Sequence, residues 1–245
     1  MAKAFQWIRS ILFVIQMYIM LPVIGLIYLP WALVDRKGAY GGIHGYCRWV
    51  RWTAGWMIGL KTEIRGQIPT GEVIVASKHQ SFLDIIMIAS VLPQPKYIMK
   101  HSLRYTPVLG WYASRIGCVA VERGKRAEAM RKMVKDVKHG VMPGGQLVIY
   151  PQGTRVAPGV DAPYKVGTGV LYRETGQPCV PAATNVGVFW PRTGIYRKPG
   201  LAVVEFLDPI PPGASIDSMM TVLKDMVETR SDELMAEAGF VRSEG

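Results

Sequence analysis

From Ser10 to Val34 the chain carries no charged residue: SILFVIQMYIMLPVIGLIYLPWALV. Such a run exceeds the ~20 residues that a helix needs to cross the hydrocarbon core of a bilayer, so it restricts the N-terminal region to buried or membrane-facing helix. Pro22 and Pro30 interrupt it, and each proline removes a helical hydrogen bond. They predict either two short apolar helices forming a hairpin in one leaflet or a single tilted span. Lys3 and Arg9 stand before the run and Arg36 and Lys37 after it; basic flanks at both ends give little orientation and favour the hairpin. A cleaved signal peptide fits less well, because its apolar core is about 7–15 residues long and is followed by small residues at the cleavage site.

In the next stretch, HGYCRWVRWTAGWMIGL, Trp49, Trp52 and Trp56 recur at helical spacing beside Arg48 and Arg51. That predicts a helix over about 46–60 whose rings and cations suit the headgroup zone of a membrane. Residues 1–60 are thus expected to form a membrane-associated helical segment, with 61–245 as a folded domain.

A formal net charge of +11 combined with 49% hydrophobic residues points to an anionic membrane surface as partner. Nucleic acid is the competing polyanion, but the chain has neither paired zinc ligands nor an aromatic-rich ribonucleoprotein signature. Cys47, Cys118 and Cys179 are odd in number and far apart, which argues against a disulfide framework and suits a reducing compartment. The histidines do not cluster with carboxylates at ligand spacing, so no metal site is expected.

Beyond residue 60 short apolar runs alternate with helical patterns. EVIVASK (72–78), KYIMK (96–100), CVAVE (118–122), QLVIYP (146–151), CVPAATNVG (179–187) and LAVVEFLDPI (201–210) read as strands. SFLDIIMIASVL, LRYTPVLGWYASRIG, KRAEAMRKMVKDVKHG, VGTGVLYRETG and a segment from about Ile216 to Glu237 read as helices. This alternation predicts a single α/β domain with a central, mostly parallel sheet flanked by helices.

The chemistry-bearing residues fall at strand ends. His79 follows the first of these strands, where α/β folds place their ligands. Asp84 is five residues later. If His79 sits on the loop and Asp84 on the first turn of the following helix, the carboxylate can hold one imidazole nitrogen and leave the other as a general base. Taken alone, such a pair also suits a structural hydrogen bond. YPQGTR (150–155) offers a tight turn at Gly153, the Thr154 hydroxyl and the planar fork of Arg155, suited to a phosphate or carboxylate. Arg123 follows CVAVE, and Lys165 precedes a helix whose N-terminal dipole favours an anion. Together they describe a base–carboxylate pair and several cations following strands of one sheet.

In four ordered blocks the chain resembles the glycerolipid acyltransferases, most closely the bacterial 1-acyl-sn-glycerol-3-phosphate acyltransferases. The blocks are KHQSFLD, GCVAVERG, YPQGTR and CVPAA with Pro181, and they fall between about residues 60 and 210. The resemblance implies that His79 and Asp84 are catalytic, and that Arg123, Gln152, Gly153, Thr154, Arg155 and, from its position, Lys165 bind substrate. It implies transfer of an acyl group from acyl carrier protein or coenzyme A to a lysophospholipid, with no cofactor, at the cytoplasmic side of a bacterial inner membrane. There are departures: Lys78 stands where many members carry Asn, and Gln152 where the family usually has Glu. A neutral amide at 152 keeps hydrogen-bonding capacity without charge, which suits orienting and not proton handling.

Overall fold

The computed structural model describes residues 2–121, 134 and 144–241. Its first element, α1 (Ala2–Val34), runs unbroken through Pro22 and Pro30. No break occurs at either proline, and α1 packs as one helix along α2 (Arg36–Ile58), with the Trp49 indole donating to Gln16 at 2.8 Å and Gln16 donating to Thr53 at 3.1 Å. The uncharged run is thus one helix and not the expected pair of short ones; α1 and α2 together form a hairpin, and α2 begins well before the expected position 46. Asp35 caps α2 by accepting the Lys37 N–H at 2.9 Å. At Gly38 a Cβ would stand 2.5 Å from the Ala32 nitrogen, so only glycine allows this close approach of the two helices.

One stripe of α1 is buried, including Phe13, Met17 and Ile24, while Leu12, Ile19 and Leu26 on the opposite side are exposed, as is Ile27 at the edge of the stripe. A helix apolar on both faces is unlike the one-sided helices of ordinary surfaces. By length and composition α1 is apolar enough to cross a membrane. Trp52 and Trp56 on α2 are exposed as well, their rings 5.8 Å apart.

The domain contains β1 (Leu60–Arg65), β2 (Val73–Ser77), α3 (Leu83–Ala89), β3 (Pro95–Lys100), α4 (Leu109–Arg115), β4 (Val119–Val121), β5 (Gln146–Ile149), α5 (Gly167–Thr175), β6 (Cys179–Thr184), β7 (Gly200–Phe206) and α6 (Ile216–Glu237). These strands form a seven-stranded sheet in the order β1-β7-β6-β2-β5-β3-β4. All neighbours are parallel except β6 and β7. The mostly parallel α/β domain is as expected. β1 was not anticipated: LKTEIR alternates too weakly to read as a strand, and its place comes from pairing with β7, which is far away in sequence. The charged helix expected after β4 lies outside the described residues, apart from Val134.

β2 is buried along its whole length because helices cover both faces of the sheet. Its period of two divides the core. Val73 and Val75 pack with α1, α2 and α3, whereas Ile74 and Ala76 pack with α5 and α6. On α6, Met219, Leu223 and Val227 form the buried stripe, and Ser215 caps the helix by accepting the Ser218 N–H. This arrangement brings the carboxyl end of β2 between the two helical layers.

Candidate active site

β2 ends at Ser77, and the chain turns before α3, which carries Asp84 in its first turn. One Asp84 oxygen accepts the backbone N–H groups of Gln80 at 2.9 Å and Ser81 at 2.8 Å. The other lies 2.9 Å from His79 Nδ1. The carboxylate is fully buried, and these donors compensate for its loss of water. The contact fixes the imidazole with its proton on Nδ1 and leaves Nε2 as the acceptor nitrogen. The His79 carbonyl in turn accepts the Val156 N–H at 2.7 Å, linking this loop to the 150–155 turn.

That turn is closed by the Gly153 N–H donating to the Tyr150 carbonyl at 2.8 Å, with Gly153 at φ +67°, where glycine is at ease. Tyr150, just before it, stacks its ring on that of His79, with centroids 3.9 Å apart and planes 21° from parallel. Burial, and next the nearby Asp84 charge, holds the Tyr150 phenol well above its usual pKa, so it stays neutral. Thr154 is exposed and Arg155 half-buried. Arg155 and Arg192 each donate to the other's backbone carbonyl at 3.4 Å. The Lys165 N–H reaches the Pro151 carbonyl at 2.9 Å, drawing the start of α5 to the same turn.

His79, Gly153, Thr154, Arg155 and Lys165 all line one cavity of about 1000 Å³. Much of the remaining wall is apolar and comes from Leu21 and Gly25 of α1, Ile43 and Tyr46 of α2, and side chains of α3 and α4. A base and cations thus open into a space suited to a greasy molecule with an anionic head. Asp84 stands behind His79. Gln152, expected among the substrate contacts, is buried with its amide donating to Glu228 at 3.3 Å and does not line the cavity. The turn at Gly153 points its side chain back into the protein. Arg123 lies outside the described residues.

Sequence reasoning missed Tyr150, Arg192 and Glu228. Tyr150 carried a signal, since it ends a strand directly before the QGTR turn. Glu228 carried none, being one of several charges on a C-terminal helix. Lys78, next to His79, is also buried and pairs with Glu228.

A family model described as Acyltransferase matches residues 60–185, just over half of the chain. The chain belongs to the acyltransferase family. The chain is 28% identical over 160 residues to the 1-acyl-sn-glycerol-3-phosphate acyltransferase of Pseudomonas aeruginosa, covering 64% of the chain and 62% of that protein. It is 29% identical over 161 residues to the enzyme of the same name from Saccharomyces cerevisiae, covering 63% of the chain and 53% of the yeast protein. These matches span less than two thirds of either relative. The chain also superposes on the crystal structure of the 1-acyl-sn-glycerophosphate (LPA) acyltransferase PlsC from Thermotoga maritima with a TM-score of 0.81, covering 96% of the chain and 100% of that structure at 20% identity. At that identity the likeness is one of fold, and it includes the N-terminal helices.

Proposed function

We propose that the protein transfers a fatty acyl group from an acyl thioester to the free hydroxyl of 1-acyl-sn-glycerol 3-phosphate, forming phosphatidic acid. The observation that carries the reading is the His79–Asp84 contact at the wall of an apolar cavity that also holds Arg155 and Lys165. In this reaction His79 Nε2 takes the proton of the acceptor hydroxyl as its oxygen attacks the thioester carbonyl. The C–O bond forms, the C–S bond breaks, and the thiol of the carrier leaves with a proton returned by the imidazolium. No acyl-enzyme is needed, because the acceptor alcohol is itself the nucleophile. Asp84 keeps the tautomer and stabilises the imidazolium. Arg155 and Lys165 bind the acceptor phosphate, an orientation effect to which Arg123 is expected to add.

Membrane attachment completes the reading. The exposed apolar face of α1, with Trp52 and Trp56 on α2, suits immersion in a bilayer, and the net charge of +11 suits its anionic surface. The donor carrier is acyl carrier protein or coenzyme A, and the bacterial inner membrane with the domain on the cytoplasmic side is the setting that supplies both.

The test gives the purified protein, in phospholipid vesicles, 1-acyl lysophosphatidate with each donor in turn, beside His79→Ala. Phosphatidic acid from wild type alone is the expected result. Equal product from both proteins sinks the mechanism, and no product from either favours a membrane-binding protein without catalysis.

A further inference from the structure

The carboxylate of Glu228 on α6 is the meeting point of three segments that are distant in sequence. Lys78 Nζ donates to one of its oxygens. The other accepts the Tyr164 hydroxyl at 2.9 Å and the Gln152 amide at 3.3 Å. Each of these donors immediately precedes a residue that lines the cavity: Lys78 precedes His79, Gln152 precedes Gly153, and Tyr164 precedes Lys165. None of the donors lines the cavity itself. Each pair lies in a loop or turn outside the helices and strands, at the border of the cavity. One member reaches back to Glu228 while the next faces the substrate space.

Burial makes this network strict. Lys78 is 1% exposed and Gln152 3% exposed, and a buried ammonium needs its partner carboxylate. Burial, and then the Glu228 charge, pushes the Tyr164 phenol up in pKa, so it remains a donor to the carboxylate. α6 itself is anchored by Leu223 and Val227 against the sheet, so the carboxylate sits on a rigid support.

We propose that Glu228 is a positioning residue, which holds the base-bearing loop, the anion-binding turn and the approach to α5 at one mutual spacing. The inference rests on the acyltransferase reading for its catalytic consequence, but the coupling of the three segments stands apart from it.

The test compares full-length wild type, Glu228→Gln and Glu228→Gln combined with Lys78→Met by thermal melting, acyl transfer to saturating lysophosphatidate, and backbone hydrogen exchange. The double variant leaves no buried charge unpaired, so its Tm is expected near that of wild type. Its kcat is expected to stay lower by on the order of 10–100-fold, the effect of about 1 Å of misplacement. Exchange is expected to rise together in 77–81 and 150–155. A double variant that regains wild-type kcat along with its Tm overturns the proposal, as does exchange that rises only around residue 228. If the double variant melts far below wild type, Glu228→Asp replaces it: lowered kcat at unchanged Tm supports the proposal, and wild-type kcat overturns it. If wild type itself acylates no lysophosphatidate, the functional reading falls. The exchange pattern then decides the coupling alone, a joint rise upholding it and an unchanged or local pattern overturning it.

Discussion

Asp84 stands 2.9 Å from His79 Nδ1 while its second oxygen is held by the N–H groups of Gln80 and Ser81. Asp84→Asn keeps the shape but changes the hydrogen bonding, and the amide favours the wrong imidazole tautomer. The expected outcome is a fall in kcat of about 10²–10⁴-fold with a modest change in acceptor KM, measured by steady-state acyl transfer. Retained wild-type kcat would remove Asp84 from the mechanism.

The stacked Tyr150 ring restrains the same imidazole. Tyr150→Phe keeps the ring and is expected to stay within about threefold of wild-type kcat, whereas Tyr150→Ala is expected to lose about tenfold, since aromatic pairs contribute roughly 0.5–1.5 kcal/mol. A larger loss in the Phe variant would assign a role to the hydroxyl.

Arg155 borders the cavity beside Thr154. Arg155→Ala is expected to raise KM for lysophosphatidate by about 10–100-fold, the scale of a charge-assisted hydrogen bond of roughly 1.5–3 kcal/mol. A monoacylglycerol lacking phosphate serves as control. Equal effects on both acceptors would argue against phosphate binding by this side chain.

Cys118 lines the cavity, and burial pushes its thiol pKa up to about 11. The thiolate is the reactive form, and a raised pKa reduces it at every pH below that value. At pH 8 about one thiol in a thousand is ionised, against about a quarter for an ordinary cysteine with pKa near 8.5. Iodoacetamide is therefore expected to label Cys118 on the order of 100-fold more slowly in the native protein than in guanidinium, as followed by peptide mass spectrometry. Comparable rates would show that the thiol is neither shielded nor shifted.

Ile19 and Ile27 are 57% and 68% exposed on α1. Replacing both with Lys is expected to leave the Tm nearly unchanged and to release the protein from anionic vesicles in a sedimentation assay, because the charges oppose entry into hydrocarbon. Undiminished sedimentation would place the attachment elsewhere on the protein.

What the sequence determined by itself was local. The Ser10–Val34 run, the order of the described strands and helices from β2 to α6, and the His79–Asp84 block all follow from side-chain period, charge and short spacing, which one segment carries alone. The first turn of α3 makes the five-residue spacing work, as the loop-then-helix reading requires.

Tertiary structure decided what depends on distant partners. α1 continues through Pro22 and Pro30 with α2 packed along it, and β1 is a strand because β7 offers its edge. Gln152 faces inward, and Lys78 finds its counter-ion in Glu228, 150 residues away. A chain pattern states which groups each segment can offer. Only packing selects which of them meet, since the desolvation of a buried charge is offset only by the partner that the fold delivers.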